Sequence, residues 1–254
     1  MSVSATALAG LREIEPGTDL AAAIARTLGP PLDPPALRNE DVIVIAHKVL
    51  SKAEGRIRSL RDVDAGERAA ALASDLGKDP RHVQVVLDES AEVLRAARGV
   101  LICVTHHGFV CANAGVDASN VPGEDSVLLL PEDPDGSART LRGRLGDLTG
   151  ATPGIVITDS FGRAWRHGQV DVAIGCAGLS PLDDWRGRTD SQGRELRATR
   201  IAVADELAAA ADLARTKDGG QPVVLIRGAE RHVTLDLGPG ATALIRQESD
   251  DLFR

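Results

Sequence analysis

Gly154-Ile-Val-Ile-Thr-Asp-Ser-Phe-Gly-Arg-Ala-Trp-Arg-His-Gly-Gln-Val-Asp171 is the stretch on which the fold turns. Ile155 to Ile157 make a short β-branched apolar run, the pattern of a buried strand. The run passes directly to Asp159 and Ser160, two hard oxygen groups at the strand's end. Gly162, Arg163, Arg166, His167 and Gly168 follow, and this pattern predicts a Gly-punctuated loop. A carboxylate ending a buried strand, with phosphate-pairing cations behind it, is how many nucleotide sites hold a metal and its phosphates. The stretch predicts an enzyme that acts on an anionic, phosphate-bearing substrate.

Working outward, Val42 to Ala46 and Val223 to Ile226 are further buried-strand patterns, and Val170 to Ala177 reads as a strand beside the first. Val100 to Val104 and Phe109 to Ala112 predict strands of a hairpin, and Val127 to Leu130 is a short apolar run. Helices are predicted after a Thr18 or Asp19 cap as far as Gly29-Pro30-Pro31, and over Ala65–Leu76 with Gly77 behind it. Others are predicted from Asp79-Pro80 through Arg95, over Ser137–Leu148 after a loop at Pro131–Gly136, and over Ile201–Leu213. Strands and helices mix without a regular βαβ alternation, so the fold class is α+β. At 254 residues the chain is long enough for one large domain or two closely joined ones.

Composition narrows the function. The aromatic fraction is 2%, with no Tyr, and the net charge is −8. Base stacking and a positive surface are the two usual means of holding nucleic acid, and neither is present, so no nucleic-acid partner is expected. The apolar runs are far too short for a membrane span, and residues 1–10 lack a signal-peptide pattern, so a cytoplasmic protein is expected. Cys103, Cys111 and Cys176 lack CxxC spacing and read as small buried apolar residues.

Two further segments carry candidate chemistry. His47-Lys48-Val49-Leu50-Ser51-Lys52 follows a buried strand, where Lys52 suits a phosphate; a solvated basic loop is the other reading. It lacks the glycines of a Walker A loop. In Cys111–Asn120, Asp117 suits Mg²⁺ or Mn²⁺ and Asn120 suits a nucleotide, against an Asx turn between strands. Asp117 with Asp159 would supply the two hard carboxylates that such ions need alongside phosphate. His106 and His107 are adjacent on a strand and point to opposite faces, which argues against a shared metal.

These segments together resemble the coenzyme F420:L-glutamate ligase family of gamma-glutamyl ligases. The likeness runs from Gly10-Leu11-Arg12-Glu13-Ile14 and Pro16–Leu20 through Lys48–Arg56, Gly108–Asp117 with Ser119–Val121, and Thr158–Gln169. It ends in Ala204–Leu207 and Val223–Gly228, so one ligase domain over residues 1–254 is implied. The resemblance implies a mixed-sheet α+β fold of two intimately joined subdomains, assembled as a homodimer. It implies GTP-dependent amide formation between L-glutamate and coenzyme F420-0, then gamma-linked glutamate addition, through an acyl phosphate. By position, Leu11, Arg12, Glu13, Ile14, His47, Lys52 and Asn120 would contact GTP. Asp117, Asp159 and Ser160 would hold Mn²⁺ or Mg²⁺, with K⁺ also required. Lys217 stands where archaeal members place a ligating Gln. It resembles in this the actinobacterial branch, where the ligase domain is followed by a second domain. On the residues alone two alternatives stay open: a GTP- or deazaflavin-binding domain without catalysis, and a metal-dependent phosphohydrolase.

Overall fold

The computed structural model describes residues 2–29, 36–119, 125–216 and 218–251. In chain order its main elements are β1 (Ser4–Ala7), α1 (Leu20–Ala25), β2 (Val42–Ala46), α2 (His47–Ala53), β3 (Ile57–Ser59), α3 (Glu67–Leu76) and α4 (Pro80–Asp88). Then come β4 (Ser90–Ala97), β5 (Val100–Thr105), β6 (Val110–Ala112), β7 (Ser126–Leu128), α5 (Pro134–Thr149), β8 (Gly154–Arg163) and β9 (Arg166–Ala177). The chain continues with β10 (Asp183–Asp184), β11 (Arg200–Ile201), α6 (Val203–Ala214) and β12 (Val223–Arg227).

A five-stranded sheet in the order β1-β12-β2-β8-β9 forms the centre. Only β2 and β8 run parallel, and the other pairs are antiparallel, so the sheet is mixed. Its middle strands are apolar at successive positions because both faces are covered. Ile43, Ile45, Ile155, Ile157 and Leu225 face one cluster with Leu20, Ile24, Leu141 and Leu145, which come from α1 and α5. Val42, Val44, Val156, Val224 and Ile226 face the other, under Val203, Leu207 and Ala211 of α6. A separate core of Ala69, Ala73, Val83, Val86, Leu101 and Val127 joins α3 and α4 to the small sheets built from β3–β7. The α+β expectation holds at this level.

Several local expectations hold. Asp19 caps α1 by accepting from Ala22 N at 3.0 Å, and Gly77 closes α3 in the left-handed region. The strand expected at Val42–Ala46 is β2, the one at Val223–Ile226 is β12, and β5 pairs with β6 as a hairpin. The three cysteines are buried and free.

Others need correction. The helix expected through Arg95 stops at Asp88, and Ser90–Ala97 is a strand. Arg98 (φ 53°) and Gly99 (φ 75°) both turn left-handed, the geometry of a tight hairpin turn, and cross-strand pairing with β5 overrides local helix propensity. Helix α5 starts inside the expected loop, because Asp133 caps it through Gly136 N at 2.8 Å and Pro134 takes the first helical position. The loop expected after Ser160 is a continuation of β8, which pairs with β9 as far as Arg163↔Arg166 in a long hairpin turned at Trp165 (φ 58°). The basic loop considered for His47–Lys52 is helix α2. Pro30, Pro31, Asn120 and Lys217 lie outside the described residues.

Candidate active site

The parallel pair β2/β8 creates the site. Its register ends at Ala46↔Thr158, where β2 turns directly into α2, while β8 runs on beside β9 alone. From Asp159 onward β8 therefore has an edge that β2 does not cover, at the carboxyl ends of two parallel strands. Sheets of this kind commonly hold ligands there. A cavity of about 730 Å³ occupies that position. Its walls come from the segment around Leu11–Ile14, from α2, from Asp117 and Ser119, from the β8/β9 hairpin, and from residues between α6 and β12.

Leu11, Arg12, Glu13, Ile14, His47, Lys52, Asp117, Asp159 and Ser160 all line this one cavity. Of the expected site residues only Asn120 is not placed, since it lies outside the described residues. Arg163, Arg166 and His167, considered as phosphate contacts, are exposed on the hairpin and are not among the lining residues. Arg163 instead donates to the His167 carbonyl at 2.6 Å, closing the hairpin on itself. The adjacent histidines serve structure: His106 bonds the Asp88 carbonyl at 2.9 Å and His107 the Pro131 carbonyl at 2.9 Å.

Strand alternation sorts the groups at the end of β8. Asp159 points to the α2 side, where its Oδ1 is 3.3 Å from His47 Nε2. The His47 side chain is only 1% exposed, and its Nδ1 is paired with Ser51 Oγ at 3.1 Å. Nε2 is near Asp159 but makes no well-aligned hydrogen bond. Thr158 and Ser160 point to the opposite side and donate to Asp171 of β9, at 2.8 and 2.6 Å. Asp171, 2% exposed, also accepts from Arg215, which follows α6.

Charge in the cavity is balanced locally. Lys52 Nζ lies 2.5 Å from Glu13 Oε1, and Lys48 Nζ lies 2.6 Å from Asp117 Oδ2 and 2.7 Å from Ser119 Oγ. The Asx turn considered for this segment is present, since Asp117 Oδ1 accepts from Ser119 N at 2.6 Å. Burial pushes the Asp117 carboxyl up, but the hydrogen bonds from Lys48 and Ser119 outweigh it and hold it below the usual carboxylate range.

The donor set suits a hard divalent cation. Mg²⁺ and Mn²⁺ take one or two carboxylates, keep waters, and complete their shell with phosphate oxygens. Asp117 and Asp159 are the carboxylates on this wall that could serve such an ion, while Ser160, on the other side of the strand, commits its proton to Asp171 and keeps only acceptor capacity on its oxygen. Among the described residues no group of three or more His, Cys, Asp or Glu stands together as a ready-made cage. A site completed by substrate phosphates does not need one.

The residues that sequence reading passed over are Lys48, Thr158, Asp171 and Arg215. Asp171 was legible in principle: an ionisable group within a strand of small apolar residues needs a partner when buried. Its partner, Arg215, is 44 residues away and gave no local signal.

A family model described as F420-0:gamma-glutamyl ligase matches residues 10–228. The chain belongs to that family. Coenzyme F420:L-glutamate ligase of Methanopyrus kandleri is 45% identical over 245 residues, covering 96% of this chain and 94% of the relative. The ligase of the same name from Methanothermobacter thermautotrophicus is 42% identical over 257 residues and covers both chains fully. That of Archaeoglobus fulgidus is 43% identical over 256 residues, covering 100% of this chain and 97% of the relative. Among the described residues of this F420-0:gamma-glutamyl ligase family member, no helix is long and apolar enough to cross a membrane.

Proposed function

We propose that this protein joins L-glutamate to coenzyme F420-0 in an amide bond, using GTP, and then adds glutamate through gamma-linkages. The observation that carries this reading is the meeting of Leu11–Ile14, His47, Lys52, Asp117, Asp159 and Ser160, drawn from distant parts of the chain, on one cavity at the end of the β2/β8 pair. The γ-phosphoryl group of GTP passes to the acceptor carboxylate, giving an acyl phosphate and GDP. The glutamate amine then attacks the acyl carbon, the amide C–N bond forms, and phosphate leaves with the former carboxylate oxygen.

Each part of the wall has a task in this scheme. The segment Leu11–Ile14 contacts the nucleotide, and Lys52 leaves the exposed Glu13 carboxylate to pair with phosphate oxygens. His47, fixed at Nδ1 by Ser51, holds its buried Nε2 3.3 Å from Asp159 Oδ1 and so steadies that carboxylate at the wall. Asp117, Asp159 and Ser160 would hold Mn²⁺ or Mg²⁺, which when bound supplies Lewis-acid polarisation of phosphoryl oxygens. Asp171, itself part of the wall, orients Ser160 and Thr158. A K⁺ requirement, a homodimer and an arrangement of two joined subdomains belong to the same reading.

The test is direct. Protein incubated with the deazaflavin acceptor, L-glutamate, GTP and Mn²⁺ yields a product heavier by one glutamyl residue, with one GDP formed per amide bond. Neither product nor GDP under those conditions overturns the reading. GDP release that glutamate and acceptor leave unchanged makes the protein a phosphohydrolase instead.

A further inference from the structure

Lys48, Lys52 and Arg215 each sit against a carboxylate on the cavity wall, but the pairs differ in how they can open. Arg215 and Asp171 are buried together, 9% and 2% exposed, and hold the wall in place. The partner of Lys52, Glu13, is 70% exposed and is readily taken over by water, while Lys52 itself is 10% exposed and leaves it only for another anion. The Lys48–Asp117 pair lies between these extremes, with both side chains partly exposed at the cavity surface. It forms a closed clamp. Asp117 Oδ2 takes the Lys48 ammonium at 2.6 Å, Asp117 Oδ1 takes the Ser119 N–H at 2.6 Å, and Lys48 reaches Ser119 Oγ at 2.7 Å. Both oxygens of a carboxylate that suits a divalent cation are thus engaged, one of them by a monovalent cation belonging to the chain.

We propose that Lys48 is an exchangeable counter-cation for Asp117, displaced from the carboxylate when a divalent cation binds there. The inference rests on the metal role proposed above for Asp117. A divalent ion arriving alone must displace the ammonium or share Oδ2 against its charge, and either weakens binding. An ion arriving with a nucleotide brings phosphate oxygens, which give the displaced ammonium a new partner within the same cavity. Metal and nucleotide therefore strengthen each other's binding through Lys48, and the coupling is reciprocal. The device keeps Asp117 neutralised without substrate and releases a cation toward phosphate when substrate is present.

The measurement is Mn²⁺ binding to the whole protein, read as free Mn²⁺ by electron paramagnetic resonance, with and without GDP. A neighbouring opposite charge moves a carboxylate's affinity for a cation by tenfold or more when buried. The partial exposure of this pair reduces that to about fivefold. Lys48→Met, and Lys48→Gln as a second variant, are expected to bind Mn²⁺ about fivefold more tightly than wild type without nucleotide. Lys48→Arg keeps the charge and stays near wild type. With GDP present the gain from Lys48→Met shrinks, because the phosphates have lost their new partner. If Lys48→Met and Lys48→Gln bind Mn²⁺ no more tightly than wild type while Asp117→Asn binds it more weakly, Asp117 is a ligand and the counter-cation role is overturned. If Asp117→Asn leaves Mn²⁺ affinity unchanged, the metal role of Asp117 fails and this inference fails with it.

Discussion

Replacing Asp171 with Asn removes one negative charge and almost no volume, so the effect reads the electrostatics of the cavity wall itself. The carboxylate is 2% exposed and accepts from Thr158 Oγ1 at 2.8 Å, Ser160 Oγ at 2.6 Å and Arg215 Nη2. An asparagine presents one acceptor oxygen and one donor NH₂, so the three donors cannot all be served. Arg215 keeps the Pro222 carbonyl at 3.1 Å and Asp212 at 3.8 Å but loses its nearest counter-charge. Removing one partner of a buried ion pair costs about 3–5 kcal/mol. The remaining Asp212 puts this case near the lower end, at about 3 kcal/mol. Against a total stability of about 5–15 kcal/mol, that is a large fraction. With a urea slope of about 3 kcal/mol/M, the midpoint of unfolding followed by far-UV circular dichroism falls by about 1 M at unchanged slope. Adding Arg215→Met to Asp171→Asn costs less than the two single losses summed, because the stranded guanidinium is gone. A midpoint within about 0.3 M of wild type refutes the reasoning, since it means Asp171 and Arg215 are not a buried pair.

Other expectations follow from the same geometry. Asp159→Ala abolishes ligation while leaving the unfolding midpoint near wild type, as measured by product mass and urea titration; near-normal turnover contradicts its place among the metal ligands. Gly175→Ala costs about 1–3 kcal/mol in thermal or urea unfolding, because a Cβ there stands 2.5 Å from the Pro134 carbonyl at the start of α5; wild-type melting means that this contact can relax. Burial pushes the Asp205 carboxyl up, more than its hydrogen bond from Ala173 N lowers it. A carboxyl raised on folding binds its proton more tightly in the native state, so wild type loses stability relative to Asp205→Asn as pH climbs above about 4. Urea midpoints of the two proteins that run parallel from pH 4 to 7 speak against this.

Legibility in the sequence followed the range of the interaction. Asp19 ahead of Leu20, and Gly77 behind Leu76, announce helix ends because a cap is satisfied within a few residues. Ser90–Ala97 misled, since its composition suits a helix and its strand state comes from pairing with β5 across a two-residue turn. The stretch after Ser160 misled for the same reason: its glycines and arginines suggest a loop, and only the ladder with β9 makes it a strand. Among the site residues, Lys52, Asp117, Asp159 and Ser160 stood out because each is a polar group beside an apolar run. Lys48 carries no local sign of its role, because its contact with Asp117 joins distant segments.

The sequence by itself determined which strands are buried on both faces, where the apolar runs end, and which hard oxygens and cations stand at those ends, since these depend on local periodicity and residue type. Its run of motifs was also enough to point to the ligase family. Only the tertiary structure decided that β2 turns away at Ala46 and leaves β8 uncovered from Asp159, opening the cavity. It alone decided the charge pairing within that cavity, with Asp171 against Arg215 and Lys48 against Asp117. Ion pairing depends on distance in space, and residues far apart in the chain carry no local mark of the partner they will meet.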